Sequence, residues 1–335
     1  MTPLLITVGL LLACAAVIYF SCEYFTNGVE WLGRSLGVGQ TATGAILAAF
    51  GTALPETVVT FVAVAMGATA ASKAVGVGAA MGGPLALATL AYGVVGAAFV
   101  VLGRQLPSSA EAQTSYRRLA ADQGWFLAIF SVKLGLGLVA FAGKALLGWV
   151  FLAVYGLWVR AGLAGPKGEE EGEGLEPLRL APHAATPSLA MTLLQTGGAL
   201  VAIFLASRVF VDQLERFGEL LAAPPQLVAL FGSPMATELP ETLNAVIWVR
   251  QGKHRLALAN ISGAMMIQAT VPTALGLFFT PWRLDPPLIA AGLATVMAVA
   301  VLAAAFRWGF VSRRILTAVC VIYPAFVALI FWLKP

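Results

Sequence analysis

Charge is scarce in this chain: Asp, Glu, Lys and Arg make up 11% of its 335 residues, against about a quarter in soluble domains. With 59% of the residues hydrophobic, a soluble two-domain protein of this length is excluded. Histidine occurs twice, at His183 and His254, and neither has a serine or cysteine partner suited to nucleophilic catalysis. Cys14, Cys22 and Cys320 all lie in apolar stretches without metal-ligand spacing, so buried thiols are expected rather than disulfides or zinc. No glycine-rich phosphate loop or nucleotide-binding segment is present. The formal charge of +4 is dispersed among loops rather than massed on one face, which removes nucleic acid as a partner. These absences predict no catalytic residue, no cofactor and no enzyme.

What is there is a succession of apolar runs of roughly 20 residues, each long enough to cross about 30 Å of hydrocarbon as a helix. Barrel strands would alternate in polarity, and these runs do not. Ten spans are expected, at 3–24, 39–66, 74–102, 124–142, 144–160, 189–211, 224–249, 254–279, 285–305 and 313–333. The first lacks a basic flank and a small-residue cleavage site before Glu23, so it is expected to be retained. The fold class is therefore an all-α integral membrane protein, with the lipid bilayer as its main partner; oligomeric state leaves no mark in the sequence.

One long polar segment divides the chain into a first five-helix unit (1–160), an acidic linker (161–188) and a second five-helix unit (189–335). Between Lys167 and Glu176 it carries five glutamates among glycines, the composition of a solvated linker. Loops after odd-numbered spans hold thirteen Lys and Arg, from Arg34 to Arg314; the even-numbered loops and the C-terminus hold Lys73, Lys144, Arg208, Arg216, Arg283 and Lys334. This bias places the odd loops and the linker in the cytoplasm and both termini outside; the membrane expected is the plasma (inner) membrane of a prokaryote. Lys133 falls inside span four, where a lysine snorkelling along a peripheral helix is expected ahead of a buried counter-ion.

Five spans followed by five spans inserts the second half upside down. The sequence repeats itself accordingly: at a constant separation of 185 residues, Glu30 matches Glu215, Gly33 matches Gly218, and Thr52-Ala53-Leu54-Pro55-Glu56-Thr57 lies over Thr237-Glu238-Leu239-Pro240-Glu241-Thr242. Gly67, Gly78-Ala79 and Met81 then match Gly252, Gly263-Ala264 and Met266. A charge, a proline and distant glycines at one spacing mark an internal duplication.

Each motif places a glutamate in mid-span, where an ionised carboxylate costs about 2.5–3.5 kcal/mol on insertion scales. Pro55 and Pro240 cannot donate a backbone hydrogen bond, so each frees a carbonyl about four residues earlier and interrupts its helix beside the acid. Carboxylates, hydroxyls and freed carbonyls are what a hard cation takes in place of water. Two inverted copies supply such a set: Glu56, Glu241, Thr52 and Thr237. Thr60 and Asn244 lie one turn beyond the two glutamates and are candidates to line the pathway. Asn260 and Ser262 are expected to cap span eight, and Gly82-Gly83-Pro84 to unwind span three.

Gly51-Thr52-Ala53-Leu54-Pro55-Glu56 and Ala236-Thr237-Glu238-Leu239-Pro240-Glu241 resemble the paired alpha-repeat motifs of the sodium/calcium exchanger superfamily. The resemblance rests on motifs in spans two, three, seven and eight. It implies ten helices in two inverted five-helix repeats, with helices two, three, seven and eight broken, and a secondary active antiporter working by alternating access. It also implies Glu56 and Glu241 as principal Ca2+ ligands, assisted by Thr52 and Thr237. The motif serines are here Ala53 and Glu238; in spans three and eight the serine and amide positions read Ala79 with Gly83, and Ala264 with Gln268. Gln268 still offers an oxygen. Glu238 lies three residues before Glu241, on the same helix face if the proline permits, and adds a third acid able to hold a proton. The expected exchange is of Ca2+ against Na+ or H+. A cation channel or a transport-dead sensor on the same fold is the alternative, and an intramembrane metal-dependent hydrolase a remoter one.

Overall fold

The computed structural model describes residues 2–35, 53–107, 110–163 and 175–332. All regular structure among them is helical. The helices are α1 (Thr2–Ser35), α2 (Ala53–Met66), α3 (Ala70–Val101), α4 (Ala110–Leu138), α5 (Leu147–Leu163), α6 (Leu189–Leu220), α7 (Pro225–Thr237), α8 (Leu239–Arg250), α9 (His254–Phe279), α10 (Pro286–Arg307) and α11 (Arg313–Trp332). Among the described residues seven helices are long and apolar enough to cross a membrane. The other three expected spans correspond to α2, whose approach lies outside the described residues, to α4, and to α7 with α8. Helix α4 begins at Ala110 rather than near 124, because its polar first turns continue the helix beyond the apolar run.

Packing follows the inverted repeat. Span one packs on span six (α1 on α6), and span four on span nine (α4 on α10). The pairing of span five with span eight (α5 on α9) returns, with halves exchanged, as span ten against span three (α11 on the second part of α3). Span four against span eight likewise returns as span nine against span three. The most extensive apolar cluster among the described residues therefore lies at the junction of the halves, where α3 and α9 are mostly buried. Close approach there needs glycine. A Cβ on Gly78 would lie 2.2 Å from the Gln226 carbonyl oxygen, and one on Gly82 2.3 Å from that of Leu230, so α3 and α7 meet backbone to backbone.

Helix irregularity is placed differently from the sequence expectation. Span seven is cut at Glu238, between α7 and α8. Helix α3 runs unbroken through Gly82, Gly83 and Pro84 and takes up the mismatch as a π turn at Leu87–Ala91. Helix α2 ends in a π turn, Val62–Met66, and α9 stays helical through Pro272. Nor do Asn260 and Ser262 cap span eight: α9 starts at His254, and both residues are buried inside it, Ser262 accepting a hydrogen bond from Gln123 at 3.2 Å.

The ends of the bundle are tied by polar contacts. The Arg104 guanidinium donates to the Arg250 carbonyl and Arg313 to the Arg104 carbonyl, both at 3.5 Å, gathering three odd-numbered loops. The described end of the acidic segment is strapped to α1 and α6. Asn27 donates to the carbonyls of Glu176 and Pro177, Trp31 to Glu176, and Gln195 accepts from the Leu180 amide at 2.8 Å.

Candidate functional site

Glu56 is carried by α2 and is fully buried. Its partners come mostly from the opposite repeat. On the last turn of α7, Ser233 and Thr237 stand four residues apart and so share a face. Thr237 Oγ1 lies 2.9 Å from Glu56 Oε2, and Ser233 Oγ donates to the same oxygen at 3.3 Å. Thr60, one turn along α2, approaches Glu56 Oε1 at 3.5 Å.

Glu238 occupies the break between α7 and α8, with φ −96° and ψ −2°, a bridge-region conformation common at functional positions. Pro240 has no N–H to continue the helical ladder. The backbone of Glu238 nevertheless stays tied on both sides, its N–H to the Pro234 carbonyl at 3.0 Å and its carbonyl to the Thr242 N–H at 3.1 Å. Its side chain, 4% exposed, has Oε1 2.9 Å from Thr237 Oγ1 and Oε2 accepting from Gln268 Nε2 at 2.8 Å. Gln268 comes from α9, so two acids from opposite repeats and an amide from a third helix form one network around Thr237.

The gap that admits this network is Gly83. A Cβ there would lie 2.9 Å from Gln268 Oε1 and 3.1 Å from Glu238 Oε1. Gln268 Oε1 is itself buried and has no hydrogen-bond partner among the described residues, an acceptor available to a cation. Among the described residues no group of three or more His, Cys, Asp or Glu gathers as a resident metal centre would; the acids are interleaved with hydroxyls and the amide.

Of the sequence candidates, Glu56, Thr237, Glu238 and Gln268 are brought together. Glu241 is fully buried in the first turn of α8. Thr52 lies outside the described residues. Asn244 is half-buried on α8 and is not bonded to Glu56 or Glu238. Ser233 went unnoticed in the sequence; its signal was its place one turn before Thr237. Lys133 is a correction. Instead of snorkelling, it is fully buried, and its ammonium donates to the carbonyls of Ala80 at 2.7 Å and Gln268 at 3.3 Å.

A cavity of about 190 Å3 opens beyond the end of α2, lined by Val62, Met66, Thr69, Ser72, Asp212 and Glu215 among others. Val62 is six residues from Glu56, about 9 Å of helix rise. Thr69 and Ser72 both donate to the Glu215 carboxylate, which holds the mouth of α3 to α6.

Residues 6–161 and 191–332 match the sequence profile of the sodium/calcium exchanger protein family. The inner membrane protein YrbG of Escherichia coli (strain K12) is 24% identical over 352 residues, covering 99% of each chain. Among solved structures, the H+/Ca2+ exchanger CAX superposes with a TM-score of 0.75 at 16% identity, over 97% of this chain and 82% of that one. The sodium-calcium exchanger NCX_Mj, soaked with 2.5 mM Na+ and 1 mM Sr2+, gives 0.61 at 19% identity, over 98% and 99%. At these identities the two structures establish a shared fold.

Proposed function

We propose, on the footing that this integral membrane protein belongs to the sodium/calcium exchanger protein family, that it exchanges a divalent cation, Ca2+ first among them, against protons by alternating access. The cation is held at mid-membrane by Glu56, Glu241 and Glu238, with oxygens from Thr237, Gln268 and Thr52. The two halves, 1–160 and 189–335, move about that point, with 161–188 joining them. The odd-numbered loops face the cytoplasm, both termini lie outside, and the protein resides in the plasma membrane.

The observation that carries the choice of proton is the surroundings of Thr237. Its hydroxyl has one hydrogen, yet three acceptor oxygens lie around it: Glu56 Oε2 and Glu238 Oε1, both at 2.9 Å, and the Ser233 carbonyl at 3.2 Å. The hydroxyl donates to one of them. A carboxyl proton on Glu56 or Glu238 supplies another of these contacts, since two ionised carboxylates on one hydroxyl in a dry site repel. A divalent cation needs the same oxygens ionised, so its binding expels the proton and the proton's return expels the cation. The cavity by Val62 and Glu215 is the route to one face, the extracytoplasmic one in this topology.

The test is flux into proteoliposomes under separately imposed gradients. Acid-loaded vesicles should take up Ca2+ with no sodium present. Uptake that follows a sodium gradient and ignores the pH gradient would reject proton exchange.

A further inference from the structure

Lys133 lies within α4, a helix of the first repeat, with its side chain fully buried. Its ammonium is held by the carbonyls of Ala80 (2.7 Å) and Gln268 (3.3 Å) and lies over the ring faces of Phe130 (5.1 Å) and Trp282 (5.8 Å). The two carbonyls share an origin. A proline inside a helix leaves unpaired the carbonyl four residues before it, and the prolines inside α3 and α9 are Pro84 and Pro272. Their orphaned carbonyls are those of Ala80 and Gln268. Helices α3 and α9 are corresponding elements of the two repeats and pack on each other, so two freed carbonyls from inverted halves converge on one positive charge.

Carbonyls freed in this way near the midplane are what inverted-repeat transporters use to coordinate a coupling sodium ion. Carbonyl oxygens can replace a cation's hydration shell outright. Here the cation arrives on a side chain. Among the described residues no carboxylate forms an ion pair with Lys133, so the carbonyls and rings compensate its burial. Its charge still reaches the acids. Gln268 binds Lys133 through its carbonyl and Glu238 through its amide, and Lys133 and Glu56 are close enough to interact electrostatically.

We propose that Lys133 is a tethered monovalent cation: its ammonium permanently fills a coupling-ion position made by the Ala80 and Gln268 carbonyls, and closes that position to sodium. The inference rests on the antiport reading above and adds to it a reason for independence from sodium. A lysine that merely stapled two helices would be replaceable by any donor of the right length. A stand-in for an ion is replaceable only by another cation.

The experiment is thermal melting of the purified full chain in sodium chloride, methylammonium chloride or choline chloride at equal ionic strength. Wild type and Lys133→Arg should melt at the same temperature in all three. Lys133→Ala should be stabilised by sodium and by methylammonium over choline, by about 3 °C or more, and sodium should then affect its Ca2+ flux. Lys133→Ala that folds in sodium or methylammonium but not in choline supports the proposal equally. Sodium-specific stabilisation of the wild type would overturn it, as would Lys133→Ala melting alike in all three salts or failing to fold in any. Melting is read without transport, so a wild-type protein that carries no Ca2+ would sink the antiport reading separately.

Discussion

In the first repeat the motif reads Thr-Ala-Leu-Pro-Glu, and α2, described from Ala53 onward, carries Glu56 and ends in a π turn at Val62–Met66. In the second it reads Thr-Glu-Leu-Pro-Glu, and the helix stops at Glu238. The backbones are related by an inverted duplication, but the chemistry has been divided unequally. Among the described residues the first copy supplies Glu56, the hydroxyl of Thr60 and, through Gly83 on α3, an empty space. The second supplies Glu238, the hydroxyls of Ser233 and Thr237, and the amide of Gln268 that enters that space. Symmetry brings the two motifs together; the departures from symmetry set which side chains meet there.

The comparison breaks first at the acids that both copies keep. Glu56→Gln and Glu241→Gln should each lower Ca2+ uptake on the order of a hundredfold or more, since each removes a charged ligand for which the neutral amide is a poor substitute. Both variants should insert and melt near the wild-type temperature, because glutamine preserves the shape of the buried side chain. Exchange at normal affinity in both would show that the paired acids are not the ion site.

A smaller effect is expected where the copies differ. Glu238→Ser restores to the second motif a small hydroxyl and leaves Glu56 as the acid on Thr237. Protons and cation compete for these oxygens, so wild-type uptake should rise with pH as the carboxyls ionise. With one acid removed from the pair, the slope of log rate against external pH should fall by about half. An unchanged slope in vesicles of fixed internal pH would remove Glu238 from proton handling.

Much of this architecture was legible in the amino-acid order. Apolar run lengths marked the seven helices that are long and apolar enough to cross a membrane among the described residues, and the five-plus-five order with its 185-residue separation marked an inverted repeat, because both depend on local composition and repetition. Glu238 and Gln268 stood out as departures from the motif. Lys133 stood out as well, but its burial did not, since hydropathy reports that a helix is apolar without saying which side faces protein. Its signal was distributed over Pro84 and Pro272, whose orphaned carbonyls only the packing of α3 on α9 brings to one point. For the same reason the expected unwinding at Pro84 did not occur: the carbonyl it frees is taken by an ammonium more than fifty residues away, and the remaining mismatch goes into the π turn after it.

The smallest effect sharpens the comparison most, because it touches only the empty space. Gly83→Ala puts a Cβ 2.9 Å from Gln268 Oε1 and 3.1 Å from Glu238 Oε1, contacts that are too close but involve the ends of side chains. Those ends can retreat by a few tenths of an ångström, so α3 should stay in place. The cost falls on the 2.8 Å bond between Gln268 and Glu238, about 0.5–1.5 kcal/mol if it is lost. Apparent Ca2+ affinity should therefore change by roughly two- to tenfold with maximal rate and melting temperature nearly unaltered. In the Glu238→Ser background the same substitution should change affinity much less, since the bond it disturbs is already gone. Equal effects in both backgrounds would mean that Gly83 serves helix packing and not the space that the second repeat's acid and amide share.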